Sequence, residues 1–281
     1  MSDSSIHVFT HHAMATFFQV RIAGEESTYA AQAARTAFDL VDRLENLLSR
    51  FRQNSEISQI AELLPGEKLR LGEPVFACLE IGLKMEAATQ LAFCVAPAAL
   101  QTQPELPRWS LDRSDFSITC ESGKLEFDLG AIGKGFALDR IAQELADWDC
   151  PAFLLIAGGS SILAGAPPPG MPGWSSGLGD DHSDHRYWLQ HCSLSGSGVA
   201  VKGEHILDPR TGEAIRQRNR AWALTATAAE SDALSTACMV LTENEIVECL
   251  AENPDWLVLL NEGKEWRHLG QRTLPPSASA A

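Results

Sequence analysis

Several short segments carry residue types able to do chemistry. "DLGAIGKGFALDR" (128–140) places Asp128, Gly130, Gly133, Lys134 and Gly135 within eight residues. Exposed N–H groups at a helix start, with an ammonium beside them, suit an anion such as a phosphate. The same residues equally suit a tight strand-to-helix connection. The segment is not a P-loop: the glycine spacing differs, and no Ser or Thr follows Lys134 to hold magnesium. It is not a dinucleotide fingerprint either, because Leu138 stands where the third glycine belongs. "ESDALSTACMVL" (230–241) puts Asp232 and Thr236 four residues apart on one helix face. A carboxylate and a hydroxyl are hard oxygen ligands of the kind magnesium takes, although an ordinary polar helix face reads the same way. "HILDPRTGEAI" (205–215) brings a titratable base, His205, and a carboxylate, Asp208, to a turn made by Pro209, Thr211 and Gly212. The plain alternative is a hairpin turn in which Asp208 caps its own backbone.

Three weaker signals complete the inventory. Gly158 and Gly159 in "IAGGSSILAG" allow close backbone approach to a planar ligand, or simply a β-turn. "DDHSDH" (180–185) collects carboxylates and imidazoles in a Gly/Pro-flanked stretch with nothing to fix a ligand geometry, and His11-His12 is no better placed. There is no G-x-S-x-G nucleophile elbow, and no cysteine has a clear catalytic partner in sequence.

Positioning these groups falls to a mixture of strands and helices. Residues 7–12 and 16–23 read as strands, and 28–51 as a long helix with Ala34, Phe38, Val41, Leu44 and Leu48 at helical spacing. "RQNSEIS" (52–58) reads as a polar turn. A second helix starts near Pro74 and runs to about Thr89. Residues 101–112 read as irregular. "FSITCESGKLEFDL" reads as a hairpin with its turn near Glu121–Gly123, leading into the glycine motif and a helix to about Asp147. Strands are expected at 152–157, from 186 and at 221–227, with a loop at 166–185. A helix is expected from about Ala229 to Leu241. Thr242 and Glu245 form a capping box for a further short helix, and "WLVLL" (256–260) reads as the last strand. Without a strict βαβ rhythm, the expected class is α+β with mostly antiparallel sheet. Residues 1–273 read as one domain and 274–281 as a disordered tail.

The composition narrows the partners. The chain has 281 residues, 45% of them hydrophobic, and a formal charge of −15 from 37 acidic and 22 basic side chains. A surface this acidic repels nucleic acid and anionic membranes, so neither is expected as a partner, and an anionic ligand needs a local basic or metal-bearing pocket. No apolar run approaches the ~20 residues of a membrane span. The start lacks a basic region followed by an apolar one, so no signal peptide is expected. The cysteines at 78, 94, 120, 150, 192, 238 and 249 are scattered, without a CxxC pair. They read as reduced thiols in a cytoplasmic protein.

Weak motifs in a fixed order are stronger than any one alone. "MATFFQVRI" (14–22), "LSRFRQNSEISQI" (48–60), "DLGAIGKGFALDR", "LLIAGGSSILAG" (154–165), "HILDPRTGEAI" and "ATAAESDALSTACMVL" (226–241) together resemble the motifs of the ApbE family, the FAD:protein FMN transferases. The resemblance spans nearly the whole chain. It implies a T-fold-related architecture of antiparallel sheets with flanking helices and a site between two subdomains. It implies Mg2+-dependent transfer of FMN from FAD to a Ser or Thr hydroxyl of an acceptor flavoprotein, with AMP released. Hydrolysis of FAD to FMN and AMP, or flavin binding without catalysis, are the alternatives. By resemblance, Asp232 and Thr236 bind magnesium, with the carbonyl of Ala131 as a further ligand and Ala229 near by. Asp128 and Lys134 contact FAD. Met14, Phe51 and the segment Ala92, Phe93, Cys94 line the flavin site, and backbone around Ile206 holds the ligand. His205 is the candidate to deprotonate the acceptor hydroxyl. The chain departs from the family pattern at Cys94 and Ser160, each standing where an aspartate is usual.

Overall fold

The computed structural model describes residues 5–178, 186–198, 207–215, 218–262 and 265–278. In chain order its elements are β1 (Ile6–Ala13), β2 (Thr16–Ala23), α1 (Ser27–Leu48), α2 (Glu56–Ile60), β3 (Lys68–Arg70) and α3 (Glu73–Ala88). Next come α4 (Ala99–Thr102), β4 (Arg108–Asp112), β5 (Ser117–Ser122), α5 (Gly133–Asp147), β6 (Phe153–Ala157) and β7 (Ser161–Ala164). They are followed by β8 (Trp174–Gly177), β9 (Arg186–Leu189), β10 (Cys192–Gly198), β11 (Arg220–Thr225), α6 (Ala228–Val240), α7 (Glu243–Glu252), β12 (Leu257–Glu262) and β13 (Glu265–Leu269).

One eight-stranded sheet, ordered β1-β2-β6-β7-β10-β11-β12-β13, forms the frame, and each neighbouring pair in it is antiparallel. Its centre is buried on both faces, which is why "FLLIA" in β6 is apolar throughout rather than alternating. On one face, Phe18, Val20, Leu155, Leu163, Ala223 and Val258 join the large core made with α1, α5 and α6. On the other, Leu154, Ile162, Leu194, Leu224 and Leu259 pack with Trp174, Leu178 and Leu189, around the β8–β9 hairpin. A second sheet is ordered β3-β5-β4, and Phe116, just before β5, lies edge-on to Phe76 of α3 at 5.1 Å between ring centroids. The expected α+β class with antiparallel sheet is the observed one.

Several local expectations are corrected. The hairpin read from "FSITCESGKLEFDL" does not form: β5 pairs with β4 before it and with β3, not with residues 124–128. That stretch instead turns on itself, Phe127 N–H donating to Leu125 C=O at 3.1 Å. Asp128 N–H then donates to Val95 C=O at 2.7 Å. Leu125 and Phe127 are buried, so the alternation of "KLEF" reports burial without a strand ladder. The stretch 101–112, read as irregular, ends in β4. The loop expected at 166–185 contains β8, and β13 follows the strand expected to be last. Inside "RQNSEISQI", Ser55 caps the short helix α2 by accepting from Ser58 N–H at 3.0 Å. Residues 274–278, expected to lie in a tail without structure, run beside β9. Trp188 N–H donates to Pro276 C=O, and Ala278 N–H donates to Arg186 C=O, both at 2.8 Å. The Thr242–Glu245 capping box is present at the start of α7.

Candidate active site

Helices α5 and α6 meet near their N-terminal ends, and glycine makes the approach. A Cβ on Gly135 would stand 2.0 Å from the carbonyl oxygen of Ala228. No side chain fits there, which gives this glycine a packing role of its own. The approach brings Lys134 and Asp232 together. Lys134 Nζ donates to the two carboxylate oxygens of Asp232 at 3.2 and 3.1 Å and to the Gly130 carbonyl at 3.2 Å. Gly135 N–H adds a bond to Asp232 Oδ2 at 3.2 Å. Ser161 Oγ, at the start of β7, donates to Oδ1 at 3.0 Å. Asp232 is only 3% exposed, so its charge is held by an ammonium, an amide and a hydroxyl rather than by bulk water. The helix start that the sequence marks as an anion site holds an anion of the protein itself.

Thr236 lies one turn further along α6, its hydroxyl 3.1 Å from that of Ser197 and donating to the Asp232 carbonyl at 3.3 Å. It belongs to a ladder of hydroxyls between α6 and β10. Ser193, Ser195 and Ser197 alternate along β10 and so face one side of the sheet. Ser193 and Ser195 each approach Ser231 Oγ to 2.7 Å, and Ser197 approaches Ser235 Oγ to 2.9 Å. These residues were missed in the sequence, where "HCSLSGS" registers only as strand. The available signal was a period-two run of serines facing a serine pair spaced four apart.

Asp139 and Ser161 were missed too. Asp139, on α5, accepts from the first two amides of α6: Ala228 N–H at 2.7 Å and Ala229 N–H at 2.8 Å. Thr227 Oγ1 accepts from Glu230 N–H at 3.4 Å. The N-terminal amides of α6 are thus satisfied by side chains. Burial pushes the Asp139 carboxyl up to about 7, against the two amide donors that pull it down.

The flanking residues converge on the same end of the sheet. Asp128 Oδ1 accepts from Gly130 N–H at 2.9 Å, and its other oxygen is 3.4 Å from Arg50. The Arg50 guanidinium lies 4.7 Å above the ring of Phe51, which is 82% exposed. Met14 and Ala15 form the turn between β1 and β2, both with positive φ (50° and 56°), the pattern of a type I′ turn. That turn abuts the Gly158–Gly159 turn: a Cβ on Gly158 would meet Thr16 Oγ1 at 2.9 Å. Ala131 is half-buried in the turn after Gly130. Ala229 is fully buried, its amide on Asp139.

The 92–94 segment divides. Ala92 and Phe93 are buried in the core, whereas Cys94 faces a cavity of about 380 Å³ with Glu86, Leu91, Leu106 and Trp109. Cys94 Sγ accepts from Ala96 N–H at 3.3 Å, and Glu86 Oε1 accepts from Val95 N–H at 2.9 Å. Burial raises both the Glu86 carboxyl and the Cys94 thiol, and the two are hydrogen-bonded to each other. His205 and Ile206 lie outside the described residues, as does the 180–185 cluster. Asp208 accepts from Arg210 N–H at 2.9 Å, as its turn-capping reading requires. Arg210 also reaches Glu245 at 2.7 Å, tying this turn to the capping box of α7.

Among the described residues no three His, Cys, Asp or Glu side chains cluster to hold a metal ion. A carboxylate, a hydroxyl and backbone carbonyls are present instead. Gly130 O and both oxygens of Asp232 already surround one positive charge, the Lys134 ammonium. Hard oxygens of this kind suit a hard dication such as magnesium, which fills the rest of its octahedral shell with water or substrate oxygens. Of the described residues, no helix is long and apolar enough to cross a membrane.

The model of the ApbE family matches residues 14–260. The FAD:protein FMN transferase of Klebsiella pneumoniae (strain 342) is 22% identical over 75% of this chain and 75% of its own. That of Treponema pallidum (strain Nichols) is 24% identical over 85% and 80%. Among solved structures, the ApbE protein of Thermotoga maritima superposes with a TM-score of 0.79 at 20% identity, covering 94% of this chain and 97% of that one. The apo flavinyl transferase ApbE of Pseudomonas stutzeri gives 0.78 at 19%, covering 98% and 95%.

Proposed function

The chain belongs to the ApbE family, and from that premise we propose that it transfers the FMN half of FAD to a Ser or Thr hydroxyl of an acceptor protein in a Mg2+-dependent reaction. The observation that carries this reading is the meeting of Lys134, Asp232 and the Gly130 carbonyl at the α5–α6 contact, with Thr236 one turn away. It supplies, in one place, a cation for a phosphate and oxygens for a metal.

The acceptor oxygen attacks the phosphorus attached to riboflavin. The bond from that phosphorus to the bridging oxygen breaks, and AMP departs with the oxygen. The acceptor hydroxyl loses its proton to a base, for which His205 is the candidate. Asp232, Thr236 and the Ala131 carbonyl would hold magnesium, which supplies charge neutralisation at the pyrophosphate. Lys134 contributes a second positive charge on the same side. Asp128, oriented by the Gly130 amide and Arg50, contacts the nucleotide. Met14 and Phe51 flank the flavin.

The test is incubation with FAD, Mg2+ and an acceptor domain. We expect flavin fluorescence on the denatured acceptor and one AMP per flavin attached. Asp232→Asn should lower the rate at least about 100-fold, in the range seen when a preorganised charge is removed. Absence of both labelled acceptor and AMP between about pH 6 and 9, where a histidine base works, overturns the reading. Release of AMP and free FMN with an unlabelled acceptor assigns a hydrolase instead.

A further inference from the structure

We propose that Asp139 is a positioning residue, fixing α6 against α5 so that the Asp232 carboxylate and Thr236 hydroxyl stand opposite Lys134. The proposal rests on the reading of Asp232 and Thr236 as the metal-binding pair.

Lys134 and Asp139 lie on α5, and Ala228, Ala229 and Asp232 lie on α6. Two independent contacts set the spacing between the helices. At Gly135 the backbones touch, so α6 can come no nearer. At Asp139 each carboxyl oxygen takes one amide at the start of α6, at 2.7 and 2.8 Å, so α6 can neither rotate nor slide without breaking one of these bonds. Asp232 follows Ala228 by one turn, on the same helix face. A rotation of α6 that releases Asp139 therefore carries Asp232 away from Lys134 and from the Gly135 amide. Thr227, which accepts from Glu230 N–H, caps the same helix start by a bond within α6 itself. One end of α6 thus carries two caps, one reaching across from α5 and one supplied by its own N-cap residue.

Three variants test the assignment: Asp139→Ala, Asp139→Asn and Thr227→Ala. Far-UV circular dichroism and cooperative thermal unfolding first establish that each folds. For Asp139→Ala, at a temperature well below its unfolding, we expect a fall in kcat of about 10- to 100-fold, the scale of a small misplacement of reacting groups. Mn2+ affinity by calorimetry should weaken, and hydrogen exchange at the Gly135 amide, which reports the contact with Asp232, should speed up. Asp139→Asn keeps one acceptor oxygen and should fall between wild type and alanine. Thr227→Ala should lower the unfolding temperature while leaving kcat, Mn2+ affinity and Gly135 exchange close to wild type. The proposal is overturned if Asp139→Ala only lowers the unfolding temperature, or if Thr227→Ala moves kcat and Gly135 exchange as much as Asp139→Ala does. Wild-type protein that neither binds Mn2+ nor transfers flavin would defeat the underlying reading. In that case Gly135 exchange still reports, without metal or substrate, whether Asp139 sets the helix contact.

Discussion

Glu86 is a carboxylic acid buried beside a thiol, and its environment favours the neutral form. Its pKa is raised by burial, and only the Val95 amide and the Cys94 hydrogen bond work in the other direction. A carboxyl whose folded pKa exceeds its unfolded value contributes stability that is fully present below the unfolded value, 4.5, and is lost as pH rises through the folded value. Glu86→Gln cannot ionise and keeps an oxygen for the Val95 amide. Its unfolding temperature should therefore gain on wild type as pH rises from about 5 to 8, measured by differential scanning calorimetry. A constant difference across that range would show that Glu86 is not the titrating group. At this scale the sequence was legible where a residue's type names its chemistry: Lys134 meets the Asp232 carboxylate, and Thr236 lies one turn further along α6. It was not legible where a residue acts through a partner far along the chain. Nothing local marks Asp139 as the cap of a helix 89 residues later, or Ser161 as a donor to Asp232.

The elements tell the same story through their interfaces. Hydrogen bonds between hydroxyls link β10 to α6 along a ladder. Ser231→Ala would leave the buried Ser195 hydroxyl without its partner, while Ser193 keeps its bond to the Ile162 carbonyl at 2.7 Å. We expect a destabilisation of about 1–3 kcal/mol, the cost of orphaned buried polar groups, read from urea unfolding. A change within about 0.5 kcal/mol, the scale of an ordinary surface substitution, would mean the ladder is redundant. The long amphipathic helix α1 and the strands β1 and β2 were readable from their patterning, α3 from its initiating proline, and β6 from its unbroken apolar run ended by two glycines. The misreadings at residues 101–112, 124–128 and 166–185 fall on short segments. There, strand or loop is decided by the neighbour: β5 pairs with β4, which precedes it, and residues 124–128 are drawn off to Val95.

For the whole molecule, net charge sets the approach of the substrate. Among the described residues of the site, Lys134 is paired with Asp232 and Arg50 with Asp128, so each of these cations is matched by an acid. The field that a nucleotide dianion meets at long range is then that of a protein with a formal charge of −15. Raising ionic strength from about 10 to 150 mM shortens the screening length from about 30 to 8 Å. FAD association, followed by stopped-flow fluorescence, should accelerate over that change; a slower association would place a net positive funnel at the site entrance. The sheet order has a further consequence. Its strands run through the chain nearly in sequence, and the boundary between β7 and β10 is also the boundary between the two halves of the site. Lys134 and Asp128 precede it, and Asp232 and Thr236 follow it. A chain divided between Leu178 and Arg186 would put Lys134, the proposed phosphate partner, on one fragment and Asp232, the proposed metal ligand, on the other. On the proposed site, neither fragment catalyses alone, and flavin appearing on an acceptor becomes a readout of their reunion, the basis of a split-enzyme reporter.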